Sequence, residues 1–145
     1  TVDIMPTLLG LCGIEIPQSI EGRNLSDVIL GKRDGEDYPV LLTCPQPFGN
    51  WTRNKGGKEY RGIRNKRYTY VRDLEGPWLL FDNLSDPQQI NNLCQDADSR
   101  QLLRKMDKLL AKRLKETGDE FLCGLSYVQK WGYRLDATET VPYTR

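Results

Sequence analysis

The sequence contains no histidine, and this absence restricts the chemistry that its residues can perform by themselves. Catalysis by a Ser-His-Asp or Cys-His arrangement needs an imidazole, and histidine is also the commonest transition-metal ligand. The four cysteines are widely scattered and form no C-x-x-C pair, so a zinc site is not expected. Buried free thiols are favoured over a disulfide. The residues therefore predict no catalytic group and no metal site within this chain.

An excess of charge and a long apolar segment are also lacking. Lysine and arginine number 21 against 20 acidic residues, and the net charge of +1 demands neither nucleic acid nor an anionic membrane as partner. No apolar run approaches the roughly 20 residues that a membrane-spanning helix needs. A length of 145 residues with 38% hydrophobic residues is enough for a packed core, and one domain is the prior.

Residues 59–93 carry the clearest strand pattern of the sequence. Aromatic and β-branched residues alternate with arginines on both sides of Asn65 and Lys66, which can turn the chain. Gly76 and Pro77 break the pattern, and the apolar run at 78–81 fits a buried strand. With a further apolar run at 38–44, these segments predict an antiparallel sheet of about four strands.

Residues 96–118 carry the clearest helix pattern. Asp98 is the expected N-cap, with Gln101 three residues later, and Gly118 is the expected C-terminal stop. One apolar stripe consists of Leu102, Leu103, Met106, Leu109, Leu110 and Leu114. We therefore predict an α+β fold in which a long helix, 98–117, packs across one face of the sheet.

The two ends of the chain are less regular. Residues 2–11 predict a short packing helix with Asp3 as its N-cap, and 21–31 predict one short amphipathic turn. Residues 119–145 show little helix signal but contain many apolar anchors, so we expect an extended tail that packs on the body. Core or interdomain packing is the favoured role of Trp131 in that tail.

Two of these stretches resemble the sulfatases, the alkaline-phosphatase-like hydrolases of sulfate esters. The C-terminal subdomain of that family shows Tyr-Arg-x-x-Arg-x-x-Arg/Lys-Tyr and then Leu-Tyr-Asp-Leu-x-x-Asp-Pro-x-Glu-x-x-Asn-Leu. Matches here are Tyr60, Arg61, Arg64, Arg67, Tyr68, Leu80, Asp82, Leu84, Asp86, Pro87, Asn92 and Leu93, whereas Phe81 and Gln89 depart. The preceding stretch is similar at Asp3, Ile4, Pro6, Thr7, Leu8, Leu9, Leu11, Gly13, Pro17, Glu21, Gly22, Arg23, Asn24 and Leu25.

The resemblance implies a division of the chain into three parts. Residues 1–36 would be the last helix of a large, truncated α/β catalytic domain and the crossover from it. Residues 37–118 would be the C-terminal subdomain, and 119–145 its tail. An apolar face of the first helix would be exposed without the catalytic domain, so self-association of the fragment is a further expectation.

The resemblance also implies a parent enzyme that hydrolyses an organic sulfate, such as a sulfated carbohydrate, in the periplasm or outside the cell. Sulfatases use a formylglycine made within Cys/Ser-x-Pro/Ala-x-Arg and a divalent cation such as calcium. Neither that motif nor a close cluster of carboxylates occurs in this sequence. The fragment is therefore expected to be catalytically inert, to support the fold and to form one wall of the substrate cleft. Its partners would be the upstream catalytic domain and a sulfated small molecule or glycan.

Trp51 and Arg53 are the candidate substrate-binding residues. They lie in the irregular loop 45–58, where an indole could stack on a sugar ring and a guanidinium could bind sulfate. The simpler interpretation of this loop is a solvated hairpin connection. Arg61 and Arg64 are better explained as sheet cations paired with carboxylates. Two other functions stay open: a phosphonate or phosphate ester hydrolase of the same superfamily, and a free-standing carbohydrate-binding module.

Overall fold

Four antiparallel strands in the order β1-β2-β3-β4 form one sheet in a computed structural model, which describes residues 1–143. The predicted α+β fold with a four-stranded sheet is confirmed. Leu41 pairs with Ile63, Ile63 with Tyr70, and Tyr70 with Leu80, so one row of apolar side chains crosses the sheet. The strands are β1 (Val40–Cys44), β2 (Tyr60–Arg64), β3 (Tyr68–Asp73) and β4 (Pro77–Asp82).

Polar side chains close the two hairpins that the sequence predicts. The Asn65 side chain accepts hydrogen bonds from the backbone N–H groups of Arg67 and Tyr68 at 3.1 and 2.6 Å. In the next turn, Asp73 accepts from the N–H groups of Glu75 and Gly76 at 2.9 and 3.0 Å. These bonds fix the register of three strands locally.

The long helix covers the apolar row of the sheet. The helices are α1 (Ile4–Leu11), α2 (Ser26–Ile29), α3 (Arg100–Thr117) and α4 (Gly124–Lys130). Met106 and Leu110 of α3 are 1% and 0% exposed and form one core with Ile63, Tyr70 and Leu80. The apolar stripe of α3 therefore packs on the sheet, as predicted.

The two ends of α3 differ in how well the sequence predicts them. Gly118 is in the left-handed conformation with φ 65°, which confirms the C-terminal stop. The prediction of Asp98 as N-cap is wrong, because α3 begins later, at Arg100, after Ser99. Asp96 organises this turn instead, since it accepts hydrogen bonds from the Asp98 N–H at 3.1 Å and the Ser99 hydroxyl at 2.7 Å.

The segment after α3 is not extended throughout, which corrects the prediction for 119–145. It contains α4, whose N-terminal Gly124 and Tyr127 are buried. The helix depends on tertiary contacts that sequence periodicity does not show, because the Tyr127 hydroxyl donates to Asp119 at 3.0 Å and the Gly124 N–H donates to Glu59 at 2.8 Å. Positions 144 and 145 of the predicted tail lie outside the described residues.

The chain forms two compact units, Thr1–Asp37 and Tyr38–Arg145. In the first unit, Asp3 is the N-cap residue of α1, as predicted, but its side chain makes no capping hydrogen bond. Its carboxylate accepts the backbone N–H of Arg23 at 2.7 Å instead, which ties α1 to the segment before α2. Ile4, Met5 and Leu8 of α1 are each more than half exposed. Within residues 1–143, the helices are too short or too polar to cross a membrane.

Candidate functional site

Arg53, one of the two predicted substrate-binding residues, lies at the centre of an ion-pair network. Its Nη2 donates to Glu59 Oε1 at 2.5 Å and to Gln46 Oε1 at 2.7 Å, and its Nη1 donates to Glu139 Oε2 at 2.7 Å. Only 27% of the side chain is exposed. Arg53 therefore joins the loop 45–58 to Glu59, which precedes β2, and to Glu139 in the C-terminal segment.

Further hydrogen bonds strengthen the Arg53 network. Gln46 Nε2 donates to Glu139 Oε2 at 2.9 Å, and Gly49 N–H donates to the Thr138 carbonyl at 3.0 Å. Burial by itself would raise the pKa of Glu59, but the hydrogen bonds from Arg53 and the Gly124 N–H outweigh burial and lower that pKa. Arg53 and Glu59 are therefore both ionised at neutral pH. An anion that binds Arg53 must compete with the carboxylates of Glu59 and Glu139.

Trp51, the other predicted site residue, belongs to a row of aromatic side chains. The indole is 39% exposed and meets Tyr60 edge-on, with ring centres 6.1 Å apart. Tyr60 in turn lies 6.1 Å from Trp78, and Lys58 Nζ lies 5.3 Å from the centre of the Trp78 ring. Partly exposed aromatic faces beside a cation are suited to the apolar face of a sugar ring. Trp51 and Arg53 thus share a loop but have different neighbours.

The two arginines of β2 have different environments. Arg61 is 1% exposed, and its guanidinium forms a bidentate pair with Asp119 while lying 4.9 Å from the Phe121 ring centre. The prediction that Arg61 is a structural cation paired with a carboxylate is confirmed. Arg64 ends β2 and is exposed.

An aromatic cavity beside α4 was not predicted from the sequence. Trp131 stacks on Tyr127 with ring centres 5.1 Å apart and meets Tyr133 edge-on at 6.1 Å. These rings line an open cavity of about 380 Å³, together with Phe48. Trp131 is 58% exposed and is therefore not a core residue of this unit. The i, i+4 spacing of Tyr127 and Trp131 could have indicated the shared face, had α4 been predicted.

The described residues do not fit a metal centre. Within residues 1–143, no group of three or more His, Cys, Asp or Glu side chains is placed to hold a metal ion. The four cysteines are free thiols, of which Cys12 is exposed and the others are partly buried. Burial raises the pKa of the Cys44 and Cys94 thiols, and Glu59 raises that of Cys44 further. Neither group is therefore activated as a nucleophile.

Comparison with known protein families shows a match over most of the chain. The family described as N-sulphoglucosamine sulphohydrolase, C-terminal, matches residues 1–116. The chain is 40% identical over 144 residues to an ulvan-active sulfatase from Formosa agariphila, covering 99% of this chain and 28% of that protein.

Solved structures show the same fold. A 2-O GAG sulfatase superposes with a TM-score of 0.69 at 25% identity, covering 82% of this chain and 25% of the other. A phosphonate monoester hydrolase from Silicibacter pomeroyi superposes with a TM-score of 0.59 at 25% identity, covering 83% and 26%. The chain therefore spans about a quarter of the length of the proteins it matches.

Proposed function

The chain belongs to the N-sulphoglucosamine sulphohydrolase C-terminal family and is the C-terminal portion of a sulfatase of the alkaline-phosphatase-like superfamily, and we propose that the whole protein hydrolyses sulfate esters of a sulfated carbohydrate. The observation that carries this proposal is the 40% identity to an ulvan-active sulfatase over 99% of the chain. A second relative is a 2-O GAG sulfatase, so two relatives are named for glycan substrates.

In this proposal, the chain itself is catalytically inert and supports the fold of the enzyme. The sequence provides no histidine, and within residues 1–143 no cluster of metal ligands is formed. The ion pairs of Arg53 and Arg61 join segments that are far apart in sequence, which suits a rigid scaffold. Such a scaffold would form one wall of the substrate cleft, with the upstream catalytic domain of the same protein as its partner.

The reactive groups would be supplied by the rest of the protein. A formylglycine and a divalent cation such as calcium are the expected cofactors of a sulfatase, but the residues that the structure describes do not fit the cation. The contribution of the chain is therefore the binding and orientation of substrate. Trp51 would contact a sugar ring, while Arg53, whose side chain is partly exposed, would hold the loop that carries Trp51 and could bind a sulfate.

The second candidate function is hydrolysis of a phosphonate or phosphate ester. The observation that favours it is the likeness to a phosphonate monoester hydrolase, with a TM-score of 0.59 at the same 25% identity as the GAG sulfatase. A free-standing carbohydrate-binding module is the third candidate. The identity to a sulfatase across nearly the whole chain, including the first unit, favours an enzyme.

The experiment compares sulfate release by the whole protein and by the 145-residue chain alone. Sulfated glycans, phosphonate monoesters and phosphate monoesters are supplied as substrates in parallel. We expect the whole protein to release sulfate from at least one glycan and the chain alone to release none. Release of phosphonate or phosphate without sulfate would support the second candidate, whereas glycan binding without hydrolysis would support the third.

A further inference from the structure

We propose that the solvent-exposed face of α3 is a binding surface for sulfated polysaccharide, separate from Trp51 and Arg53. This inference rests on the proposed function, because it names a second place where the same class of polyanion binds. Six exposed cations define this basic face: Arg100, Arg104, Lys105, Lys108, Lys112 and Lys115.

The six cations fall on one side of the helix. At 100° per residue they occupy an arc of about 140°, opposite the apolar stripe that packs on the sheet. Arg100 and Lys115 are 15 positions apart, which corresponds to about 22 Å along the helix axis at 1.5 Å per residue. The basic face therefore has the elongated shape that suits a linear polyanion rather than a single small anion.

Part of the basic face is free of ion-pair partners, although Lys112 lies 3.8 Å from Glu116. Arg53, Arg61, Arg67 and Arg72 each form an ion pair with a carboxylate at 2.5 to 3.0 Å. Within the part of the chain that the structure describes, Arg104, Lys105 and Lys108 form no ion pair. Their charges therefore remain available to a ligand.

Helix stability does not explain these cations. The first turn of α3 contains no acidic residue and begins with Arg100, although the helix dipole favours anions there. Arg100, Arg104, Lys108 and Lys112 also form successive i, i+4 pairs of like charge, which destabilise a helix. Lys115 lies in the last turn and complements the C-terminal end of the dipole, but the cations of the earlier turns do not. Binding of an anionic ligand would explain the cations in the first three turns of α3.

The surface beside the basic face is concave. An open groove of about 700 Å³ is lined by three cations of this face, Arg104, Lys105 and Lys108, together with Gln101 and Leu102. One carboxylate, Asp98, lies at the N-terminal end of the groove. Three cations against one carboxylate, with an amide that can donate to a sugar hydroxyl or a sulfate oxygen, match a sulfated sugar chain.

The test measures binding of heparin, as a probe sulfated polysaccharide, to the whole protein by calorimetry at low and at physiological salt. The triple variant R104Q/K105Q/K108Q should bind heparin roughly tenfold more weakly at low salt, and this difference should shrink as salt is added. The matched control K55Q/K66Q/R134Q removes the same number of exposed positive charges outside α3 and should change the affinity less than about twofold. Thermal unfolding checks that both variants remain folded.

Two kinds of result would overturn the proposal that α3 binds sulfated polysaccharide. An equal loss in both triple variants would mean that net charge alone is sensed and would overturn it. Equal affinity of the wild-type protein for desulfated heparin, for double-stranded DNA or for anionic phospholipid vesicles would also overturn it, because sulfated sugar would not be preferred. The readout is binding without turnover, so a protein that binds heparin through α3 but releases no sulfate would contradict only the proposed activity.

Discussion

Arg61 and Asp119 form a bidentate ion pair that ties β2 to the end of α3. Arg61 Nε donates to Asp119 Oδ2 at 2.5 Å and Nη2 donates to Oδ1 at 3.2 Å, while the Arg61 side chain is 2% exposed. Asp119 Oδ1 also accepts the Phe121 N–H at 2.8 Å and the Tyr127 hydroxyl at 3.0 Å. One carboxylate therefore organises the chain between α3 and α4.

The first prediction is that Asp119→Asn destabilises the 145-residue chain by about 2–3 kcal/mol at pH 7, because it leaves the buried Arg61 guanidinium without its counter-charge. Urea unfolding followed by circular dichroism measures the change. Glu120→Gln is the matched control, since Glu120 pairs with Lys130 where both side chains are more than half exposed. Glu120→Gln should lower the unfolding free energy by less than about 0.5 kcal/mol. Equal losses in the two variants would contradict the role of Asp119 as the counter-charge of Arg61.

The second prediction concerns the pH dependence of the same pair. Burial alone would raise the pKa of Asp119, but the hydrogen bonds from Arg61, Phe121 and Tyr127 lower it below the usual 3.8. A carboxylate with a lowered pKa stabilises the fold above its unfolded pKa, and this stabilisation is lost as pH falls through the folded pKa. The difference in unfolding free energy between wild type and Asp119→Asn should therefore narrow from pH 5 downwards to about pH 2. A difference in unfolding free energy that stays constant over this pH range would contradict the lowered pKa of Asp119.

The third prediction separates the two residues of the loop 45–58. Arg53→Gln should destabilise the fold by about 2 kcal/mol, because the Glu59 side chain, which is 7% exposed, loses its counter-charge. Trp51→Ala should leave the stability nearly unchanged and weaken the binding of a sulfated oligosaccharide by about 1 kcal/mol or more, since the exposed indole would contact the sugar. Thermal unfolding and calorimetric titration of the whole protein provide the two readouts.

Lys55→Gln is the control for this comparison, because Lys55 lies in the same short helical turn as Arg53 and is exposed. It should alter neither stability nor affinity. Unchanged oligosaccharide affinity in Trp51→Ala would remove Trp51 from the proposed site.

The fold was predictable where the signal is local. Alternating strand formers, the Asn65 turn and the stripe of α3 each lie within a few residues, and period and turn chemistry reveal them. The N-cap of α3 is not predictable from the sequence, because Asp96, Asp98 and Ser99 offer competing oxygens in one turn and only the backbone geometry selects among them.

The Arg53 network and α4 were not predictable in the same way. Arg53 meets Glu139, which is 86 positions away, and Gly124 meets Glu59, which is 65 positions away. No local pattern encodes such contacts, although they decide how α4 packs and which groups surround the predicted site. The charge of Arg53 and its neighbours in the loop favour a substrate-binding role, whereas its partners Glu59 and Glu139 are evident only from the fold.

The fourth prediction tests the close packing at the start of α4. A Cβ atom at Gly124 would lie 2.5 Å from the Pro45 carbonyl oxygen and 2.2 Å from Gln46 Oε1. Gly124→Ala should therefore displace α4 and destabilise the chain by about 1–3 kcal/mol, as overpacking does. Ser126→Ala, at an exposed position of the same helix, should change the stability by less than about 0.5 kcal/mol. Urea unfolding measures the change in unfolding free energy in both variants. An unchanged unfolding free energy in Gly124→Ala would contradict the described packing.

We propose that the protein to which this chain belongs cleaves sulfate esters, and that residues 1–143 contribute no reactive group to that reaction. The most direct measurement is the amount of inorganic sulfate released from a panel of sulfated polysaccharides by the whole protein and by the 145-residue chain. We predict sulfate release by the whole protein on at least one polysaccharide and none by the chain alone. Release of sulfate by the chain alone, or no release of sulfate by the whole protein from any polysaccharide of the panel, would contradict this proposal.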